Sequence, residues 1–374
     1  MNYNGRYKEL NNNFNIGKDF YIRETNIDVC FINFNSYSSS TEDKFLTSDR
    51  NINENSSFLY PVFVPSGRRK KDNDEVIILL HGLNERNWEK YLTWAEFMSY
   101  NSGKPVILFP IAFHINRAPL SWSNPRKMVN LLNTRKEKFI QDRSMSIANV
   151  ALSNRLSQNP ERFYLSGRQT WDDLTTLFDE IKTGKHPYFK EGAGIDIFAY
   201  SIGAFLSQIA LMSNQKGLYT NTRLFMFCGG SIFNSMQGAS RSIMDNLAFD
   251  TIRNYYINIF GNEATTSPVK WIRDKAFSAF SSMISVERFK EEREEIFTKL
   301  AGHIKGITLT KDRVIPHEGV TEAMGAKNTE SNIRNIDFPF PYTHENPFPA
   351  NTKDTTSLNK TFNNVFSEAV EFLI

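Results

Sequence analysis

A serine, an aspartate and a histidine each stand just beyond a strand-like apolar run: Ser201 after Gly194–Tyr200 (GIDIFAY), Asp312 after Ile304–Thr310, and His344 after Ile333–Phe338. Together these residue types can carry out acyl transfer. A serine hydroxyl is a weak nucleophile at its own pKa, so a histidine must take its proton. A carboxylate must then fix the histidine tautomer and stabilise the imidazolium. Taken singly, each residue has a plainer role: Ser201 as a small corner residue, Asp312 as a helix cap before Val314, His344 as a loop residue. Their common placement at strand ends, in the chain order Ser, Asp, His, favours the chemical reading. Pro339, Pro341 and Pro347 restrict the backbone around His344 and can hold its imidazole in place. His317 is the second candidate base, His114 either lines a cleft or packs at the surface, and His186 and His303 read as structural.

Positioning these groups falls to alternating strands and helices. Val76–Leu80 (VIILL) is a continuous apolar run of the kind buried on both faces of a parallel sheet, and it stops at His81-Gly82. Helical spacing over Trp88–Tyr100 and a strand at Val106–Phe109 complete one strand-helix-strand unit. Lys127–Leu156 reads as helical, and Leu174–Ile181 as a short amphipathic helix closed by Gly184 and Pro187. Ser201-Ile202-Gly203 forms a turn from the GIDIFAY strand into an apolar helix, Ala204–Met212, and Arg223–Cys228 is a further strand. Residues 231–300 show only helical signals, over Ile243–Phe260, Val269–Met283 and Val286–Leu300, and read as a helical lid. A helix over Glu318–Ala326 fits between Asp312 and the last strand, and Leu358–Ile374 is a closing amphipathic helix. Nearer the start, Thr25–Phe34 alternates like an edge strand, Phe58–Val64 is a strand ending in the turn Pro65-Ser66-Gly67, and the Ser/Asn-rich stretches Ser36–Ser40 and Ser48–Ser57 read as mobile loops. The fold class expected is α/β: a mostly parallel central sheet with helices on both faces and a helical insertion.

With that frame, the chain resembles the α/β-hydrolase superfamily. Its nucleophile elbow, G-x-S-x-G, is present as Ala199-Tyr200-Ser201-Ile202-Gly203, with Ala in place of the first Gly. Small residues are required there because the serine backbone is strained into the turn and strand and helix pack tightly around it, and alanine still fits. Leu79-Leu80-His81-Gly82-Leu83 resembles the superfamily's strand ending in His-Gly. By that resemblance the N–H groups of Leu83 and Ile202 form an oxyanion hole and His81 braces the loop. Asp312-Arg313-Val314-Ile315-Pro316 resembles the D-x-V-[VI]-P segment that carries the acid. The resemblance extends over Phe58–Ile374 and implies a serine hydrolase with catalytic Ser201, Asp312 and His344. The His81–Arg86 segment and the elbow do not resemble any branch with a named substrate, so ester, thioester and amide substrates all remain open. The layout expected is one α/β-hydrolase domain over 1–374: an N-terminal extension at 1–57, a core at 58–230 and 301–374, and the lid at 231–300.

Composition narrows the partners. The chain has 374 residues, 40% hydrophobic and 23% charged, and its 44 Lys+Arg against 41 Asp+Glu give a net charge of +3. That balance points to neither nucleic acid nor a membrane surface. No apolar run reaches the roughly 18 residues of a membrane span. The start of the chain lacks a basic-then-apolar leader pattern, so a cytoplasmic location is expected, with Cys30 and Cys228 as reduced core thiols. No cofactor or metal is expected: His317-Glu318 lacks a second histidine at helical spacing, and Gly229-Gly230-Ser231 has neither the lysine of a phosphate loop nor dinucleotide spacing. The partner expected is a small acyl substrate. Within the same frame stand a peptidase using the same three residues and a small-ligand-binding protein whose triad is idle. Lid aromatics Phe249, Tyr255, Tyr256, Phe260, Trp271, Phe277 and Phe280 suit an apolar acyl group, although most can equally serve packing between lid and body.

Overall fold

Alternate side chains of each central strand enter opposite cores. Val76, Ile78 and Leu80 join one apolar cluster while Ile77 and Leu79 join the other. Ile197 and Ala199 likewise face one side, Phe198 and Tyr200 the other. Such strands need helices on both faces. A computed structural model describes residues 1–36, 47–67, 71–261 and 273–374. It has nine strands among these residues: β1 Phe20–Ile22, β2 Ile27–Asn35, β3 Ser57–Pro65, β4 Asn73–Leu80, β5 Val106–Phe109, β6 Phe189–Tyr200, β7 Leu224–Phe227, β8 Ile304–Leu309 and β9 Ile333–Ile336. They form one sheet in the order β1-β2-β3-β5-β4-β6-β7-β8-β9. The pairings β1–β2, β2–β3 and β3–β5 are antiparallel, and those from β5 through β9 are parallel. This is the mostly parallel α/β sheet expected.

One face is covered by helices Arg162–Lys182 and Ile202–Ser213, the other by Tyr3–Asn13, Glu89–Ser102 and Thr355–Leu373. Among the described residues no helix is long and apolar enough to cross a membrane. Cys30 and Cys228 are not bonded to each other, and only Cys228 is fully buried.

Several elements differ from the sequence expectation. Thr25–Phe34 is not the edge: β2 is flanked on both sides, and the edge is β1, whose three residues are too short for a periodic signal. The polar opening stretch forms helix Tyr3–Asn13, held by only two buried side chains, Tyr3 and Leu10. Lys127–Leu156 divides into Pro125–Lys138 and Val150–Gln158, and the short helix at Leu174–Ile181 is the end of a 21-residue helix, Arg162–Lys182. Much of the Ser36–Ser40 stretch and the start of Val269–Met283, with Trp271, lie outside the described residues. Ser48–Ser57 is not simply a loop, because it contains helix Asn53–Ser56 and the buried side chains Asp49 and Asn55.

Candidate active site

The C-terminal ends of β4, β6, β7, β8 and β9 converge, and the loops beyond them hold the groups singled out above. Ser201 follows β6 directly with φ 55° and ψ −121°. A non-glycine residue pays on the order of 1–3 kcal/mol for such a conformation, and here it aims the hydroxyl out of the sheet. Glycine is required at two neighbours. A Cβ on Gly203 would lie 2.8 Å from the Leu80 carbonyl oxygen and 2.9 Å from that of His81. One on Gly229 would lie 2.9 Å from the Ser201 carbonyl oxygen and 2.5 Å from the Ala204 Cβ. Ala199 sits between Leu80 and Met226 in the sheet register, where its methyl fits. In the sequence Gly229-Gly230 reads only as an incomplete phosphate loop, whereas its place is behind the elbow. A Gly pair directly after a strand is the available signal.

Ser201, His344 and Asp312 are brought together. Ser201 Oγ is 2.7 Å from His344 Nε2, and His344 Nδ1 is 2.7 Å from Asp312 Oδ2. Asp312 Oδ1 accepts the backbone N–H groups of Val314 (2.8 Å) and Ile315 (3.0 Å). A carboxylate only accepts, so Nδ1 of His344 carries the proton and Nε2 offers a lone pair to the serine hydroxyl. All three side chains are buried. Tyr200 adds a partner that the sequence does not mark: its ring stacks on the His344 imidazole at 5.5 Å and 15°, and its hydroxyl donates to the His344 carbonyl oxygen.

Leu83 and Ile202 border one cleft, Ile202 as the first residue of a helix whose opening N–H groups have no partner within the helix. His81 donates from Nδ1 to the Gly82 carbonyl (2.7 Å) and accepts the Ile111 N–H at Nε2 (2.9 Å), linking the ends of β4 and β5. Burial and neighbouring His114 hold its pKa well below the ordinary value, which keeps it a neutral brace. The loop beyond it is anchored from several sides. Tyr91 Oη accepts the Gly82 N–H (3.0 Å) and donates to Glu85 (2.8 Å), and Asn84 donates to the carbonyls of Ala148 (2.8 Å) and Ser242 (2.7 Å). Lys90 Nζ bonds both Glu85 Oε1 and the Glu345 carbonyl oxygen at 2.6 Å, tying this loop to the histidine loop. Sequence reasoning misses Lys90, Tyr91 and Glu85, which carry no motif.

The remaining histidines fall elsewhere. His317 Nδ1 pairs with the Thr308 hydroxyl at 2.8 Å, whereas the partner of Ser201 is His344. His114 lines the cleft, and His186 is buried against Tyr60 at 2.8 Å. Burial beside Asp312 pushes the Cys228 thiol well up, so it is a packing group. Among the described residues no cluster of His, Cys, Asp or Glu could hold a metal.

The cleft itself corrects the expectation that residues 231–300 shape it. Among the described residues only Ala276 and Phe280 come from that segment, whereas most of the wall comes from the segment joining β5 to β6. Phe249, Tyr255, Tyr256, Phe260 and Phe277 are not among its lining residues. Tyr256 packs on Phe163 at 5.6 Å, and Phe260 on Tyr164 at 5.6 Å.

The strand order, the strained serine between strand and helix and the glycine-backed turn define the α/β-hydrolase fold. Among solved structures, the chain is similar to a bacterial heroin esterase, with TM-score 0.50 and 10% identity over 93% of this chain and 85% of that one. It also matches the esterase LipW from Mycobacterium marinum (TM-score 0.49, 10% identity, 99% and 87% covered) and an esterase from Pyrobaculum calidifontis (0.48, 10%, 99% and 90%). No curated protein matches the sequence. Within this fold the chain belongs to the family of unknown function DUF6051, whose profile matches residues 1–374.

Proposed function

We propose that the protein is a serine hydrolase cleaving an ester, or a chemically similar acyl bond, of a small substrate through an acyl-enzyme. The observation carrying this reading is the unbroken chain from Ser201 Oγ to His344 Nε2 and from His344 Nδ1 to Asp312 Oδ2, each link 2.7 Å. Ser201 Oγ attacks the carbonyl carbon while His344 takes its proton, and the N–H groups of Leu83 and Ile202 receive the developing oxyanion. Collapse expels the alcohol, protonated by His344. Water then attacks the acyl-serine with His344 as base, releasing the acid and restoring the hydroxyl. Asp312 orients the imidazole and stabilises its charged form. The likeness to esterase structures supports the fold on which this chemistry would run, and the cleft beside Ile202 supports a small-molecule substrate.

The test is labelling with a fluorophosphonate probe, comparing the native protein with Ser201→Ala and locating the adduct by peptide mass. An adduct on Ser201 that is absent from the variant is expected. A folded native protein that neither labels nor hydrolyses p-nitrophenyl acetate would refute the reading.

A further inference from the structure

The cleft runs from Leu83 and Ile202 between helices Val150–Gln158, Arg162–Lys182 and Ile202–Ser213. Its body is apolar, with Trp122, Leu156, Phe163, Phe205 and Phe280 among its walls. Among the described residues the charged lining is lopsided: four arginines, Arg86, Arg155, Arg162 and Arg168, against one carboxylate, Glu85. Glu85 is already held by Lys90 at 2.6 Å and Tyr91 at 2.8 Å.

The carboxylates that pair with these arginines stand behind them, since Asp49, Asp172 and Asp274 are not among the lining residues. Arg155 and Arg162 share Asp49, at 3.0 Å and 2.8 Å, and are only 14% and 11% exposed. The Arg155 guanidinium lies 4.2 Å from the Trp122 ring, which fixes it in the wall. Arg168 has two carboxylates, Asp172 and Asp274, and so adds no surplus charge. Arg86 donates to the Ile147 and Ala148 carbonyl oxygens and has, among the described residues, no carboxylate within ion-pair distance. Among the described residues the wall thus carries more arginine than carboxylate on an apolar background, in surroundings where charge is poorly screened. An amphipathic anion complements it.

Resting on the hydrolase reading, we propose that the cleft selects esters whose apolar acyl chain carries an anionic group, a terminal carboxylate being the simplest, received by the guanidiniums of Arg155, Arg162 and Arg86. A purely apolar cleft would reject such a group, because burying an unpaired carboxylate is costly. The sign of the preference is thus diagnostic.

The experiment compares kcat/KM for p-nitrophenyl hemiesters of adipic, suberic and sebacic acids with p-nitrophenyl hexanoate, octanoate and decanoate. At the best-fitting length the hemiester is preferred, on the order of ten-fold or more for a charge-assisted contact. Arg155→Met and Arg86→Met each lower that ratio. Removing Arg155 leaves Asp49 paired with Arg162, so no buried carboxylate is orphaned, and Arg86→Met tests a cation remote from Asp49. Preference for the neutral ester at every length, or a ratio unmoved in both variants, overturns the proposal. A separate arm measures binding of monomethyl suberate and methyl octanoate to Ser201→Ala by calorimetry. If no ester is hydrolysed by the native protein, the hydrolase reading has failed. Tighter binding of the anion in this arm then still supports the cleft assignment, and equal or weaker binding overturns it.

Discussion

Lys90→Met removes a side chain that ties the loop after β4 to the His344 loop. Lys90 Nζ makes two contacts of 2.6 Å, to Glu85 Oε1 and to the Glu345 carbonyl oxygen, and stands 5.0 Å over the Tyr200 ring. The two side chains of the ion pair are 17% and 16% exposed, so solvent screens the pair only in part. Methionine keeps the length of the stem but supplies no donor, so packing changes little. Two charge-assisted hydrogen bonds at about 1.5–3 kcal/mol each are lost, and a stability decrease of about 3 kcal/mol is expected after Glu85 regains some solvent. The catalytic effect is separate. Glu85 keeps only Tyr91 among its anchors, and the Gly82–Glu85 segment can drift from the histidine loop. A misplacement of about 1 Å is worth about 10² in rate, so kcat for p-nitrophenyl acetate falls by up to that factor. KM stays near the native value, since Lys90 does not line the cleft. Lys90→Arg, which keeps charge and donors, restores most of kcat. The assay is steady-state kinetics of both variants beside urea denaturation. A folded Lys90→Met protein with native kcat, whatever its stability, would refute the strut.

Ser201→Ala and Asp312→Asn are each expected to lower kcat on the order of 10⁴ with the fold intact by circular dichroism, whereas His317→Ala stays mild; the reverse ranking of His317 and His344 substitutions would show the wrong base. Gly203→Ala forces a Cβ to within 2.8 Å of a strand carbonyl and is expected to cost about 1–3 kcal/mol, measured by urea midpoint, with loss of activity because that carbonyl adjoins the His81–Leu83 loop. Acid lowers stability through buried neutral histidines: burial holds His114 and His186 down to about 4, below the ordinary value of about 6.5. The unfolded chain binds protons that the native state refuses, so the contribution of these two histidines is full above about pH 6.5 and is lost toward pH 4, by about 3 kcal/mol per histidine. His186→Phe should make the dependence of the urea midpoint on pH shallower by one proton, and an unchanged slope would count against this account.

What the sequence discloses follows from where its physics is local. The strands at Val76–Leu80 and Val106–Phe109 are buried on both faces, so their apolar runs stand out within a few residues. Ser201 and Asp312 lie at or just beyond the ends of such runs, and strand-end placement together with chain order groups them with His344. Helix Tyr3–Asn13 escapes notice because only Tyr3 and Leu10 are buried, so its stripe is too thin to read. Its stability comes from partners far along the chain. Arg6 donates to Glu96 at 2.6 Å, and Asn359 accepts the Tyr3 N–H at 2.8 Å. The first half of Arg162–Lys182 is hidden for a similar reason: Tyr164 packs on Phe260 and Phe280 of the segment following β7, an interface that no local window contains.

The contrast between triad and cleft has the same origin. A triad needs three residue types at strand ends, and strand ends are marked by where apolar runs stop, so the proposed catalytic residues are legible in the chain itself. A cleft wall is made by whichever side chains two packed segments leave facing one another. Arg86, Arg155 and Arg162 come from a strand-end loop and two successive helices, each unremarkable as a surface arginine. Only in the folded chain does Asp49, far earlier in the sequence, come to share its carboxylate between two of them. On the proposed function, the reaction is thus legible in the sequence while the proposed specificity depends on tertiary packing. The measurement that follows from this is the sign of the preference between hemiester and neutral ester, because only the packed arrangement, and nothing in the triad, sets it.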